Sequence, residues 1–114
     1  MGPRETWTNQ RSPVRLCTSS YHAQISMDIM RTYPTEHWFD PHRSKLLSLL
    51  NTFAAMNPGI GYTQGMNYLI FPLWKVYYES TPEWAVEDTL CSMQSIMQMT
   101  LRAYPTHVNG SQLP

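Results

Sequence analysis

The sequence predicts an all-α protein: a bundle of about four helices behind a flexible N-terminal arm. Three observations predict it. Apolar residues recur at helical spacing in four separate stretches. Proline, glycine and small polar residues punctuate the gaps between those stretches. No stretch alternates apolar and polar residues as a half-buried strand would. A length of 114 residues suits one small domain and hardly two.

Residues 1–20 carry no apolar period and are rich in Arg, Thr, Ser, Asn and Gln, with prolines at Pro3 and Pro13. They read as the flexible arm. The first helix is expected over Tyr21–Arg31, with Ser19 or Ser20 as the N-cap accepting from a free backbone N–H of the first turn. Tyr21, Ile25 and Ile29, spaced by four, form one buried stripe. Asp28 and Arg31, three apart, are neighbours on the helix surface. Pro34 ends the helix near Thr32–Tyr33, which leaves Arg31 projecting from its last turn.

A connector over Thr32–Asp40 is anchored by Tyr33, Trp38 and Phe39. Asp40 as N-cap and Pro41 at the first helical position open the second helix. Leu46, Leu49, Leu50 and Phe53 form its apolar face, with Leu47 and Ala54 alongside, and Asn57-Pro58-Gly59 stops it. The third helix is expected from Gln64 to Tyr78. It is apolar nearly all round and so expected to be buried, with a kink at Pro72. Thr81 and Pro82 open the fourth helix. Its apolar set is Val86, Leu90, Met93, Met97, Leu101 and Tyr104, and it ends at Pro105 before an unstructured terminus.

Composition excludes several classes. Lys plus Arg equal Asp plus Glu, so no excess positive charge is available for nucleic acid or a membrane surface. Charged residues are 14% of the chain, against roughly 25% in ordinary domains. Eight Met, seven Tyr, four Trp and three Phe replace them, a surface that must be buried or covered. Cys17 and Cys91 have no paired spacing, which fits a reducing compartment rather than a disulfide framework. No apolar run is long enough for a transmembrane helix, and no secretory signal is expected. Met1-Gly2 fits only the loose form of a myristoylation pattern, and Asn109-Gly110-Ser111 is a sequon by letter alone.

Candidate chemistry is equally restricted. His22, His37, His42 and His107 lack the spacing that sets two metal ligands on one helix face. Neither cysteine has a nearby histidine, and no serine sits in a nucleophile elbow. The loop Asn57–Asn67 holds three of the five glycines, but no lysine of the kind that completes a phosphate-binding loop. The chain is therefore not expected to bind nucleotide by itself, nor to carry a cofactor or metal of its own. Two polar groups remain at structured positions, Arg31 and Gln64. Taken singly, Arg31 is explained by the helix dipole and Gln64 by capping.

Together they carry a resemblance. Ile25-Ser26-Met27-Asp28-Ile29-Met30-Arg31 fits Ile-x-x-Asp-x-x-Arg and is followed by Thr32-Tyr33-Pro34. Tyr62-Thr63-Gln64 fits Tyr-x-Gln, inside Asn57-Pro58-x-Ile60-Gly61-Tyr62-x-Gln64-Gly65-Met66-Asn67. From about Ile25 to Tyr104 the chain resembles the TBC domain, the all-helical catalytic domain of GTPase-activating proteins for Rab-type small GTPases. Only the N-terminal half of that domain is matched. The resemblance places it at residues 21–108, with a disordered tail at 109–114.

The resemblance implies that Arg31 is an arginine finger and Gln64 a glutamine finger, both supplied in trans to a Rab that carries its own GTP and Mg²⁺. Asp28 would hold Arg31. Tyr62, Gly61 and Gly65 would shape the loop that aims Gln64, and Ile25 and Asn67 complete the motifs as supporting residues. It further implies a cytoplasmic protein of vesicle trafficking that a Rab could recruit to membranes. The family's domain continues into a second helical half, so the third helix is expected to expose apolar surface through which the chain could self-associate. The alternative reading is a truncated, non-catalytic module that binds Rabs or scaffolds.

Overall fold

The computed structural model describes residues 12–103. Its order is helix α1 (His22–Arg31), a 3₁₀ segment (His37–His42), α2 (Arg43–Met56), α3 (Met66–Ser80), a second 3₁₀ segment (Pro82–Trp84) and α4 (Ala85–Ala103). Among the described residues there is no strand, as the sequence predicts.

Helix α2 is the hub. Its Leu46, Leu49 and Leu50 are fully buried and Phe53 nearly so, and it packs against α1, α3 and α4. Ile25 and Ile29 come in from α1, Ile70, Phe71 and Trp74 from α3, and Leu90 and Met93 from α4. Each such side chain contributes about 1.5–3 kcal/mol on burial. The apolar residues expected on α1, α2 and α4 thus supply much of the core, but Tyr21, expected in the buried stripe of α1, is 38% exposed, because it sits at the N-cap outside the helix.

The helix starts differ from expectation, each for a local reason. Tyr21 is the N-cap of α1, and neither serine caps it. The Ser19 hydroxyl instead donates to Asn51 Oδ1 (2.7 Å) on buried α2 and accepts from the Tyr21 N–H (3.2 Å). A buried amide needs partners, and it takes the hydroxyl. Asp40 does not cap α2. It lies within the first 3₁₀ segment, where its carboxylate accepts from His37 Nδ1 (3.0 Å) and Arg43 Nε (3.1 Å). Thr81 likewise makes no N-cap bond; its hydroxyl donates to Asp88 Oδ2 at 2.8 Å.

Helix α3 starts two residues after Gln64 and runs unbroken through Pro72. Proline at 72 leaves the carbonyl of Tyr68 without its helical donor. The Tyr33 hydroxyl points at that oxygen from 3.5 Å, the long limit of a hydrogen bond. The helix is not buried all round, as its composition suggested. Met66, Asn67, Ile70, Phe71 and Trp74 face inward, while Tyr68 and Val76 are more than half exposed.

The arm expected over residues 1–20 needs correction where it is described. From residue 12 the chain runs extended along the bundle. The Val14 N–H donates to Glu87 Oε2 (2.9 Å) and the Cys17 N–H to Thr52 Oγ1 (2.9 Å), and Val14 and Leu16 pack against the core. A single extended segment held by side chains of other helices has no period to betray it. Residues 1–11, Tyr104, Pro105, His107, the sequon and the tail lie outside the described residues. No described helix is long and apolar enough to cross a membrane.

Because Leu50 sits at the junction of the helices with no exposed surface, Leu50→Ala is expected to cost about 2–5 kcal/mol in urea unfolding.

Candidate functional site

Asp28 is the centre of the site. Its position on α1 turns it inward beside Ile25 and Ile29, and only 2% of it is exposed. A buried carboxylate is costly unless it is well bonded. Here Gln24 Nε2 reaches both oxygens at 3.2 Å, Arg31 Nη2 reaches Oδ1 at 3.2 Å, and the Tyr62 hydroxyl donates to Oδ2. Burial by itself pushes the Asp28 carboxyl up. The bonds from Tyr62, Gln24 and Arg31 and the Arg31 charge outweigh burial and hold it below the ordinary value. Burial, then the adjoining carboxylate, raises Tyr62, so its phenol stays protonated and remains a donor.

The second tie lies one residue beyond Arg31. Thr32 is fully buried, and its hydroxyl donates to the Asp28 backbone carbonyl. The same hydroxyl accepts from Asn67 Nδ2 at 2.6 Å. The Asn67 side-chain oxygen accepts from the Gly65 N–H at 2.9 Å and lies 3.4 Å from the Tyr62 hydroxyl. Helix α1 and the loop after α2 are therefore joined through four buried polar side chains.

The loop itself is a series of turns. The Asn57 carbonyl accepts from the N–H groups of Ile60 (2.9 Å) and Gly61 (2.8 Å), while the Asn57 side chain donates to Phe53 O (3.0 Å). Gly61 has φ +66°, and a Cβ there would run into the Tyr21 ring. Gly65, at φ +114°, is the N-cap of α3. Both conformations favour glycine. The Thr63 carbonyl accepts from the Met66 N–H at 3.0 Å, which closes the turn around Gln64. Gln64 is exposed and makes no side-chain hydrogen bond among the described residues. The Arg31 side chain is 62% exposed.

The structure thus gathers Asp28, Tyr62, Gly65 and Asn67 into one network with Arg31 at its edge. Gly61 shapes the loop. Ile25 serves from the core. Gln64 sits at the loop's tip, two residues from Tyr62 and three from Asn67. Three participants were missed from sequence. Gln24 is four residues before Asp28, a spacing that could have found it. Thr32 gave no signal. Arg43, at the start of α2, donates to the backbone carbonyls of Ile29, Thr32 and Tyr33, on both sides of Arg31. Among the described residues no group of three or more His, Cys, Asp or Glu could hold a metal ion.

The fold is all-helical, with a buried acid bonded to an exposed arginine and tied to a glycine-shaped loop that carries an exposed glutamine. A family model, the Rab-GTPase-TBC domain, matches residues 5–112, and the chain belongs to that family. It is 42% identical over 59 residues to TBC1 domain family member 2A of Mus musculus and, at the same identity, of Rattus norvegicus. Each match covers 48% of this chain and 6% of the relative, so the chain spans a small part of those proteins' length. No solved structure matches at a comparable level of significance.

Tyr62→Phe removes one donor to a buried carboxylate and is expected to cost about 1–3 kcal/mol by thermal or urea unfolding. A second expectation concerns acid. A carboxyl held below its ordinary value contributes stability above about pH 4, and that stability is lost as pH falls through the lowered value. Melting temperature followed from about pH 5 downward should therefore fall less steeply in Asp28→Asn than in the unaltered protein.

Proposed function

We propose that this chain supplies the catalytic elements of a GTPase-activating protein for Rab-type GTPases, with Arg31 as arginine finger and Gln64 as glutamine finger. GTP and Mg²⁺ belong to the partner, and the protein needs no cofactor of its own. The observation that carries the reading is the pair of ties Asp28–Tyr62 and Thr32–Asn67. They join the segment that bears Arg31 to the loop that bears Gln64, while both tips stay exposed.

The chemistry follows from the side chains. In GTP hydrolysis charge is redistributed over the transferring phosphoryl group and the leaving oxygen. A guanidinium from a partner stabilises that charge, an effect of about 10³–10⁵ in rate. Arg31 stays charged and offers a planar fork to phosphate oxygens. Its side chain is 62% exposed and makes one 3.2 Å bond to Asp28, which can be exchanged for phosphate on docking. The attacking water must also be oriented. The Gln64 carboxamide can accept from that water and donate to a phosphate oxygen. Gly65, exposed and with open space at its Cβ position, lets the loop backbone come close to the partner, while Gly61 lets it close on Tyr21. Such a protein works in the cytoplasm and meets membranes through the Rab that it engages, which places it in vesicle trafficking. The exposed Tyr68 and Val76 of α3 are the surface through which self-association would run.

Single-turnover hydrolysis by a panel of GTP-loaded Rabs tests the reading. At least one Rab should be accelerated, and Arg31→Ala should remove about 10³-fold or more of that acceleration. Gln64→Ala should remove about 10²-fold. Gln64→Ala should melt like the parent, because that side chain is exposed and unbonded among the described residues, whereas Arg31→Ala should melt somewhat lower, because it removes a donor to buried Asp28. Acceleration that survives both substitutions would sink the assignment. Binding without acceleration would leave a Rab-binding module instead.

A further inference from the structure

Helix α1 ends in an unusual way. Tyr33 has φ +45° and is the only non-glycine residue among those described with a positive φ. A left-handed residue just past a helix end is ordinarily glycine, because a Cβ there costs about 1–2 kcal/mol. The residue so held is two positions from Arg31. Strained backbone next to a functional residue persists only where the surroundings determine it.

The group that determines it here is the Arg43 guanidinium. Its Nη1 donates to the carbonyls of Ile29 (2.7 Å) and Thr32 (2.7 Å), and its Nη2 donates to the carbonyl of Tyr33 (2.8 Å). Its Nε donates to Asp40 Oδ1 at 3.1 Å. The guanidinium carbon lies 5.4 Å from the centre of the Phe71 ring. Its side chain is only 15% exposed. The fork therefore grips the backbone on both sides of Tyr33, and it does so from the first residue of α2. The acceptors lie at a helix C-terminus, where a cation is favoured by the helix dipole; the Ile29 carbonyl also accepts from the Thr32 N–H and the Tyr33 carbonyl from the Glu36 N–H. The Tyr33 ring is packed as well, stacked on Phe39 (5.8 Å) and edge-on to Tyr68 (5.5 Å).

We propose that Arg43 is a positioning residue for Arg31: it locks the C-terminal turn of α1 in its left-handed exit and so fixes where the finger leaves the helix. This rests on the function proposed above for Arg31. The substitution that probes it is Arg43→Lys, which keeps the charge but cannot bond three carbonyls and a carboxylate in one plane.

Two readouts test it in the full 114-residue chain. The first is single-turnover hydrolysis by the Rab that the unaltered chain accelerates most, titrated to saturation. Arg43→Lys is expected to lower the maximal rate by about 10–10²-fold, as expected for a displaced catalytic group. It should leave the half-saturating concentration within about twofold, since the partner-facing side chains are unchanged. The second is amide hydrogen exchange by NMR. Exchange at Arg31–Tyr33 should rise while protection in α2, α3 and α4 holds. An unchanged maximal rate or unchanged exchange at Arg31–Tyr33 would each overturn the proposal. If the unaltered chain accelerates no Rab, the function proposed above fails, and exchange alone decides whether Arg43 locks the turn. If Arg43→Lys shows no cooperative melt, Asp40→Asn is read in the same way. It leaves the guanidinium in place but removes the charge that orients Nε, and a smaller change in the same direction is expected. No change with Asp40→Asn would also overturn the proposal.

Discussion

The site depends on one constraint: a carboxylate, Asp28, is buried and must be bonded. Placing it among Ile25, Ile29 and the core would be prohibitive without donors. Its donors come from two places in the chain. Gln24 and Arg31 are its neighbours on α1, and Tyr62 arrives from a loop 34 residues later. Meeting that local demand fixes the long-range geometry, because only the loop can supply the third donor. The loop that answers the demand is the one that carries Gln64.

The polar ties are buried and the tips are not, and this division has a physical sense. Hydrogen bonds away from water are stronger and more directional, so Asn67, Thr32, Tyr62 and Asp28 make a stiff frame. Arg31 and Gln64 stay in solvent, where a bond is cheaply exchanged for one to a partner. The left-handed turn at Tyr33 belongs to the same frame. It is a local expense met by Arg43 from α2 and by the aromatic cluster of Phe39, Tyr68 and Phe71. Helix α2 is thus the core's hub and also the anchor of the helix that carries Arg31.

Much of the fold was legible. The apolar face of α2 was read residue by residue, and Leu90 and Met93 of the set expected on α4 are buried, since a three-four spacing puts residues on one helix face. Where the reading failed, a tertiary partner outbid a local rule. Ser19 left the end of α1 for Asn51, Asp40 joined Arg43 in place of capping α2, and Val14 and Cys17 found Glu87 and Thr52. Helix α3 looked apolar on all sides because exposed Tyr68 and Val76 read like core residues when only composition is in view.

For the site, the sequence by itself determined part of the cast, without Gln24, Thr32 and Arg43. The spacing of Asp28 and Arg31 places them one turn apart on any helix, and the glycines at 61 and 65 mark backbone that other residues rarely adopt. Both follow from covalent geometry and steric exclusion, which act over a few residues. Only the tertiary structure decided that Tyr62 and Asn67 close on Asp28 and Thr32. It alone decided that Arg43 holds the carbonyls beyond Arg31, and that a tyrosine sits where a glycine would be expected. Those are contacts between segments distant in sequence, chosen by packing and by the need to satisfy buried polar groups, and neither leaves a period in the chain.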